Sequence, residues 1–251
     1  MKPQSDTRLV RVPAAGDLPA YTVRLSDRAK RVRLTITPRD GLVVTVPRTM
    51  RGFDPTDILI EHGTWIAQAQ ARFAERRAVL LAGADATLPS DVTFPATGEH
   101  WGVEYRESSA STVRADVRDG LLVVQGATDD GEACLAALQR WLQRAARERL
   151  LPLLAEEAAR TNLHYRTASV RGQRSRWGGC SSSGAITLNR CLLFLSPELV
   201  RAVMLHELAH LVHINHSAAY WAELERLDPR VTLHRAEMAR AWDAVPPWAE
   251  P

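Results

Sequence analysis

Alternating apolar and polar residues mark two strand-rich stretches of the chain. Residues 32–37 alternate in this way, and the pair Asp40-Gly41 then leads into an apolar run over residues 42–46. In a second stretch, from about residue 92 to residue 124, the pair Asp119-Gly120 precedes another apolar run. Because Asp-Gly is a favoured turn between paired strands, the pattern predicts a β-hairpin at each of these places.

Helical spacing of apolar residues follows each strand-rich stretch. Asp54-Pro55 is a typical helix start, and the helix predicted there extends to the charged pair Arg76-Arg77. From Glu132 to about Asn162 leucines recur at intervals of three and four residues, which predicts a second, longer helix. Pro152 lies inside this helix and is expected to bend or split it, because proline lacks the backbone N–H.

The order of these elements predicts an α+β fold. The small, acidic stretch over residues 126–131 is the expected boundary between a β-rich N-terminal region with one helix, residues 1–130, and a mainly helical region, residues 131–251. The two regions either form separate domains or pack as one unit.

Composition excludes several classes of protein. The 251 residues are 45% hydrophobic and 24% charged, which is typical of a globular protein and not of a disordered one. No apolar run is long enough to span a membrane, and no signal-like apolar stretch follows Lys2. Three cysteines are too few and too scattered for a disulfide framework, so we expect a reducing, cytoplasmic location without membrane contact.

Positive charge is concentrated at the N-terminus. Residues 1–60 carry 11 basic and 6 acidic side chains, a net charge of +5, although the whole chain has a net charge of only +3. Such a region, which includes Arg28, Lys30, Arg31 and Arg33, is compatible with binding to nucleic acid. A solvated, arginine-rich surface is the alternative, because no basic run exceeds three residues.

The strongest chemical signal is an HExxH sequence inside an otherwise apolar helix. Ser196-Pro197-Glu198 predicts the start of this helix, which then carries His206, Glu207 and His210. Histidines four residues apart lie on the same helix face, so both imidazoles can bind one metal ion. Glu207 lies about 100° around the helix, where it can reach a water molecule as a general base without being a metal ligand.

A third metal ligand is expected after the helix. The candidates are His216 and His213. His216 is preferred, because His213 lies a further turn along the helix from the metal. For His216 to approach, the chain must turn, and Asn215 is expected to adopt a left-handed conformation there. His234 is interpreted as structural. Three imidazoles leave one tetrahedral position open, as in catalytic zinc sites, although they also suit cobalt, nickel or iron.

Residues around the helix suggest further roles. Residues 185–189 predict a strand before the metal helix, where Leu188 and Asn189 either hold an extended peptide substrate or belong to an ordinary sheet strand. Tyr220 either assists an oxyanion or packs in the core. One of three acidic residues, Glu223, Glu225 or Asp228, is expected to orient a ligand imidazole. Cys180 and Cys191 are interpreted as small core residues rather than metal ligands.

The sequence resembles the YgjP-like family of zinc metallopeptidases, which are related to the SprT and WLM zincins. The resemblance is carried by Ser175-Arg176-Trp177-Gly178-Gly179-Cys180, the strand Ile186-Thr187-Leu188-Asn189, His206-Glu207-Leu208-Ala209-His210-Leu211, Asn215-His216-Ser217 and Tyr220-Trp221. The N-terminal hairpin and the helix with Trp65-Ile66 also match, so the resemblance covers about residues 20–245. Gly179 stands where the family usually has Ser, and Tyr220 where Phe is common.

The resemblance implies a zincin-like catalytic region. In it, His206, His210 and His216 would bind one zinc ion, and Glu207 would be the catalytic base. The expected function is that of a zinc metalloendopeptidase acting on peptides or proteins. Two alternatives stay open: a DNA-associated protease of SprT type that acts on DNA-bound proteins, and a metal-binding module without turnover.

Overall fold

The chain divides into two compact units. In the computed structural model, which describes residues 9–14, 18–27, 29–37, 40–50, 52–81 and 88–250, the division falls between Ala84 and Asp85. The boundary expected near residue 130 instead lies inside the second unit, where residues 126–131 join a strand to a long helix. The strands before this connection and the helix after it share one apolar core, so residues 126–131 do not divide the chain into two domains.

The described part of the first unit is a mixed four-stranded sheet with two helices. Its elements are β1 (Leu9–Val12), β2 (Tyr21–Ser26), β3 (Arg33–Thr37), β4 (Gly41–Pro47), α1 (Thr56–Glu61) and α2 (Gly63–Leu81). The strand order is β1-β2-β4-β3. β3 and β4 are antiparallel, with Leu34 opposite Val44, which confirms the hairpin predicted at Asp40-Gly41. Gly41 has a φ of 67°, a conformation that glycine adopts without strain.

The single helix predicted from Asp54 is two helices in the structure. Asp54 accepts a hydrogen bond of 2.9 Å from a backbone N–H of the first turn, so the predicted start is confirmed. The two helices are separated at His62, immediately before Gly63, and glycine is a poor helix former. Leu59 before the break and Ile66 after it are both buried in the same apolar core, so tertiary packing holds both segments.

The second unit begins with another four-stranded sheet. Its strands are β5 (Asp91–Phe94), β6 (Glu99–Glu107), β7 (Arg114–Arg118) and β8 (Leu121–Gly126), in the order β5-β6-β8-β7. The hairpin predicted at Asp119-Gly120 is confirmed, because β7 and β8 are antiparallel neighbours around it. Asp119 and Gly120 have φ values of 50° and 79°, as a two-residue turn of type I′ requires.

A long helix, α3 (Gly131–Thr161), packs on this sheet. Asp130 caps it by accepting a hydrogen bond of 2.9 Å from the N–H of Ala133, and Asn162 ends it in a left-handed conformation. Of the two effects expected of Pro152, a bend or a split, the structure excludes the split, because α3 continues through the proline. One missing N–H does not break a helix that buries a long apolar stripe on both sides of the proline, including Leu138, Leu142, Leu150 and Leu154.

An ion pair joins α3 to the sheet, and its removal is expected to lower stability. Arg149 donates two hydrogen bonds to Glu99, one of 2.8 Å, and its guanidinium lies 5.9 and 5.5 Å from the rings of Phe94 and Trp101. We expect Arg149→Met to lower the free energy of unfolding by about 1–2 kcal/mol, because the pair is only partly solvated. Chemical denaturation measures this. Arg106→Met, which breaks an ion pair of exposed side chains, should leave stability unchanged, and equal losses in both variants would contradict the argument.

The C-terminal half of the second unit carries the HExxH helix. Its elements are β9 (Thr167–Arg171), β10 (Gly178–Cys180), β11 (Ala185–Asn189), α4 (Pro197–Ala209), α5 (Ala218–Leu227) and α6 (Val231–Met238). β11 is the central strand of a three-stranded sheet, between β10 and β9. Ser196 accepts a hydrogen bond of 3.3 Å from the N–H of Leu199, so the predicted start of α4 is confirmed. The succession of sheets and helices is the predicted α+β fold, and within the described residues no helix is long and apolar enough to cross a membrane.

Candidate active site

Three histidines converge at the end of α4. His206 lies in the last turn of α4, His210 caps its C-terminus, and His216 lies in the connection to α5. Their candidate ligand atoms all lie within 4.8 Å of one another, and the Nε2 atoms of His206 and His216 are 3.3 Å apart. These are the three residues predicted to bind the metal, and the structure brings them together.

The turn that brings His216 to the cluster differs from the predicted one. Asn215 was expected to be left-handed, but among the described residues other than glycine only Asp119 and Asn162 have a positive φ. The reversal is instead achieved by ending α4 early, since the N–H groups of both Val212 and His213 bond to the carbonyl of Ala209 at 3.1 Å. Several ordinary turns thus replace one strained residue.

Hydrogen bonds fix the orientation of two of the three imidazoles. Nδ1 of His210 lies 3.1 Å from the carbonyl oxygen of His213, so this nitrogen carries the proton and donates it. Nδ1 of His206 lies 2.8 Å from the hydroxyl of Tyr220, which in turn donates to the carbonyl of His206 at 3.2 Å. Both rings therefore keep the Nε2 lone pair free. Two imidazoles held in this way, with His216 beside them, fit a metal ion such as zinc.

Burial also favours the neutral, metal-binding form of these rings. Burial lowers the pKa of His206 to about 4, and the nearby ionisable rings of His210 and His216 act in the same direction. Burial and the proximity of His210 likewise lower the pKa of His216. Metal ions bind the deprotonated nitrogen of imidazole, so the cluster is prepared for a cation at neutral pH.

The role of Tyr220 was missed by sequence reasoning. It is fully buried, as packing predicts, but its hydroxyl is engaged by His206 rather than directed at an oxyanion. Of the acidic residues expected to orient a ligand, Asp228 pairs with His234 at 2.7 Å and Glu223 pairs with Arg226. Helical spacing alone does not distinguish a core tyrosine from one whose hydroxyl reaches a ligand on the neighbouring helix.

Removal of the Tyr220 hydroxyl is expected to weaken metal binding. In Tyr220→Phe, Nδ1–H of His206 loses its partner and the ring loses one restraint, so we expect the affinity for zinc to fall about 10–100-fold. Competition with a chromophoric chelator measures this affinity. Tyr105→Phe is the matched control. It also removes a tyrosine hydroxyl that donates a hydrogen bond, here of 2.9 Å to the carbonyl of Pro89, and it should leave the affinity for zinc unchanged. Equal affinities of the wild type and Tyr220→Phe would refute this role.

Glu207 is the buried acid beside the cluster. Its side chain packs against Gly178 of β10, where an added Cβ would lie only 2.6 Å from Oε1. Oε2 is buried without a hydrogen-bond partner among the described residues. Burial raises the pKa of Glu207 to about 7, although the charge of Arg176 and a backbone hydrogen bond from Cys180 act to lower it. The carboxylate is thus held with one oxygen available to a substrate or water.

Leu188 and Asn189 do not line a free strand edge, which corrects their predicted role in peptide binding. β11 has β10 on one side and β9 on the other, and both residues are completely buried. Asn189 instead organises the loop before β10, because its amide donates to the carbonyls of Gln173 and Arg176 at 2.6 and 2.8 Å. The sequence pattern of a strand does not reveal which neighbours the strand acquires.

Two other sets of sequence candidates are not members of the histidine cluster. Cys180 and Cys191 are outside it, and their thiols contact backbone carbonyls. In the N-terminal unit Lys30, Arg31 and Arg33 are exposed, and Arg28 lies outside the described residues. Exposure is expected of a nucleic-acid-binding face and of a solvated face alike, so nucleic-acid binding stays a prediction.

Of the comparisons with known proteins, the match to a family profile agrees with the histidine cluster. The profile of the YgjP-like metallopeptidase domain matches residues 30–241. A search of curated proteins gave no match. The metallopeptidase zymogen abylysin from Pyrococcus abyssi, known from a crystal structure, is 24% identical in sequence to this chain; the match covers 38% of this chain and 95% of abylysin, with a TM-score of 0.34. The profile match alone spans most of the chain, and the chain therefore belongs to the YgjP-like family of metallopeptidases.

Proposed function

We propose that this metallopeptidase is a zinc endopeptidase in which His206, His210 and His216 bind one zinc ion and Glu207 is the general base. The observation that carries the proposal is the convergence of three imidazoles, two of them oriented by hydrogen bonds, beside a buried carboxylate with one oxygen unpartnered among the described residues. A purely structural metal site needs neither an open ligand position nor such a carboxylate.

The chemistry follows from these groups. Bound zinc would polarise the carbonyl of the scissile bond and lower the pKa of the attacking water. Glu207 accepts a proton from that water and later gives it to the amine that leaves. The tight contact between Glu207 and Gly178 holds the carboxylate in one position, and burial, which raises its pKa, favours acceptance of a proton. Tyr220 and the carbonyl of His213 keep two imidazoles in the required orientation.

Peptide cleavage tests this proposal. Protein purified without a metal-binding tag is incubated with a mixture of peptides of diverse sequence, and the products are identified by mass spectrometry. We expect cleavage at internal bonds, loss of cleavage after removal of metal with a chelator, and recovery on addition of zinc. Cleavage that survives both chelation and the variant His206→Ala would contradict the proposal.

A further inference from the structure

A cavity of about 310 Å³ opens directly beside the candidate catalytic groups. His206 and Glu207 form part of its lining, together with Ala202 and Val203 one turn earlier on α4. At a rise of 1.5 Å per residue, the lining residues of α4 extend about 7.5 Å along the helix. The volume is at the lower limit of small-molecule sites and suits one large side chain.

The walls of this cavity are mainly apolar. Beside the α4 residues they are formed by side chains of α5, α6 and the loop before β10, namely Trp177, Leu224, Val231 and Met238. Two exposed arginines, Arg176 and Arg235, also line the cavity. Because both carry positive charge, a lysine or arginine side chain of a substrate would be repelled there. Glu207 and Asp228, which also line the cavity, disfavour an acidic side chain, so the lining favours an uncharged, bulky one.

A buried histidine is also part of the lining. The imidazole of His234 lines the cavity, and only 7% of this residue is exposed. Its Nδ1 lies 2.7 Å from Oδ2 of Asp228, and its Nε2 is buried without a hydrogen-bond partner in the described part of the chain. Since a carboxylate can only accept, Nδ1 carries a proton, and in the neutral imidazole Nε2 presents a lone pair. Asp228 is itself held, because its Oδ1 accepts from the N–H of Arg230 at 3.2 Å.

We propose that this cavity receives the substrate side chain next to the scissile bond and that His234 selects tyrosine by accepting a hydrogen bond from its hydroxyl. The proposal rests on the proposed peptidase function. The aromatic ring would pack against Val203, Leu224 and Met238, and its hydroxyl would satisfy the buried Nε2. Phenylalanine or leucine would fill the same volume but leave that acceptor unpaired, which is unfavourable in an apolar site.

Small probes test the pocket without any need for catalysis. p-Cresol, toluene and 3-methylindole reproduce the side chains of tyrosine, phenylalanine and tryptophan, and their binding to the full chain is followed by NMR of the histidine rings. We expect p-cresol to shift the resonances of His234 and to bind roughly 10-fold more tightly than either other probe. Equal binding of toluene or 3-methylindole would overturn the selection of tyrosine, and absence of p-cresol binding would overturn the pocket itself.

Peptide kinetics test the same selection in the working enzyme. Two peptides that differ only in Tyr or Phe beside the scissile bond are compared, and we expect kcat/KM to favour Tyr by roughly 10–100-fold in the wild type. His234→Leu should abolish this preference, and Leu233→Ala, on the same helix but outside the cavity, should retain it. If His234→Leu does not fold because Asp228 loses its partner, the wild-type ratio and the probes still decide the question. A preference that persists in a folded His234→Leu would refute the role of His234.

The two arms distinguish failure of this inference from failure of the proposed function. If no peptide is cleaved by the zinc-loaded protein but p-cresol binds at His234, the peptidase proposal fails and the tyrosine-sized pocket stands. If peptides are cleaved without preference for Tyr and p-cresol does not bind, the peptidase proposal stands and this inference fails.

Discussion

In the variant Glu207→Gln, kcat for peptide hydrolysis is expected to fall about 10²–10⁴-fold, while the protein keeps its metal. Glutamine has nearly the same shape as glutamate but cannot accept the proton of the attacking water. Because Glu207 is not among the clustered histidines, the metal-binding atoms are unchanged. Steady-state kinetics with one cleaved peptide, at equal zinc content of the two proteins, measures the effect.

Two further measurements make this result interpretable. Zinc content measured by mass spectrometry must match between the wild type and Glu207→Gln, which shows that the loss is chemical and not a loss of metal. The variant should also be at least as stable as the wild type, since an amide is easier to bury than a carboxylate. Normal turnover in a zinc-loaded Glu207→Gln would show that another group is the base.

The second large effect is expected from adding a single methyl group, in Gly178→Ala. The new Cβ would lie 2.6 Å from Oε1 and 2.8 Å from Cγ of Glu207, so the carboxylate must move. A displacement of about 1 Å in a catalytic group lowers activity roughly 10²-fold, and we expect kcat/KM to fall by that factor. The displacement of the Glu207 carboxylate should affect activity much more than folding. Enzyme kinetics and thermal unfolding are therefore measured on the same preparations.

The neighbouring glycine supplies the matched control. A Cβ added to Gly179 would meet the side chain of Arg176 at 3.6 Å, which is an ordinary contact, so Gly179→Ala should remain active. Both variants add one methyl group to adjacent residues of β10, and they differ only in the side chain that this methyl group contacts. Equal activity of Gly178→Ala and Gly179→Ala would show that the position of Glu207 is not critical.

Local signals in the sequence predicted much of the site. The spacing of His206 and His210 on a capped helix depends on helix geometry alone, and the structure has this helix from its predicted start, although it ends at Ala209 rather than continuing to Val212. The Asp-Gly hairpins were likewise predictable, because their turn chemistry lies within two residues. The proximity of His216 to the cluster was also anticipated, although the turn that achieves it was not.

Features that depend on distant neighbours were not predictable in this way. Whether Leu188 and Asn189 face a free edge depends on where β9 and β10 pair, and neither partner is specified by the strand itself. The hydroxyl of Tyr220 reaches His206 only because α5 packs against α4. His234 was interpreted as structural, and only the fold places its imidazole in the wall of a cavity beside Glu207.

The most direct test of the central claim is the zinc content of protein purified without a metal-binding tag, measured by native mass spectrometry. We expect about one zinc ion per chain in the wild type and little or none in His206→Ala and His216→Ala. His213→Ala is the matched control, because it keeps the backbone carbonyl that orients His210, and it should keep its zinc. A wild-type protein that takes up no zinc when it is supplied, or a His216→Ala variant that binds zinc as well as the wild type, would contradict the account.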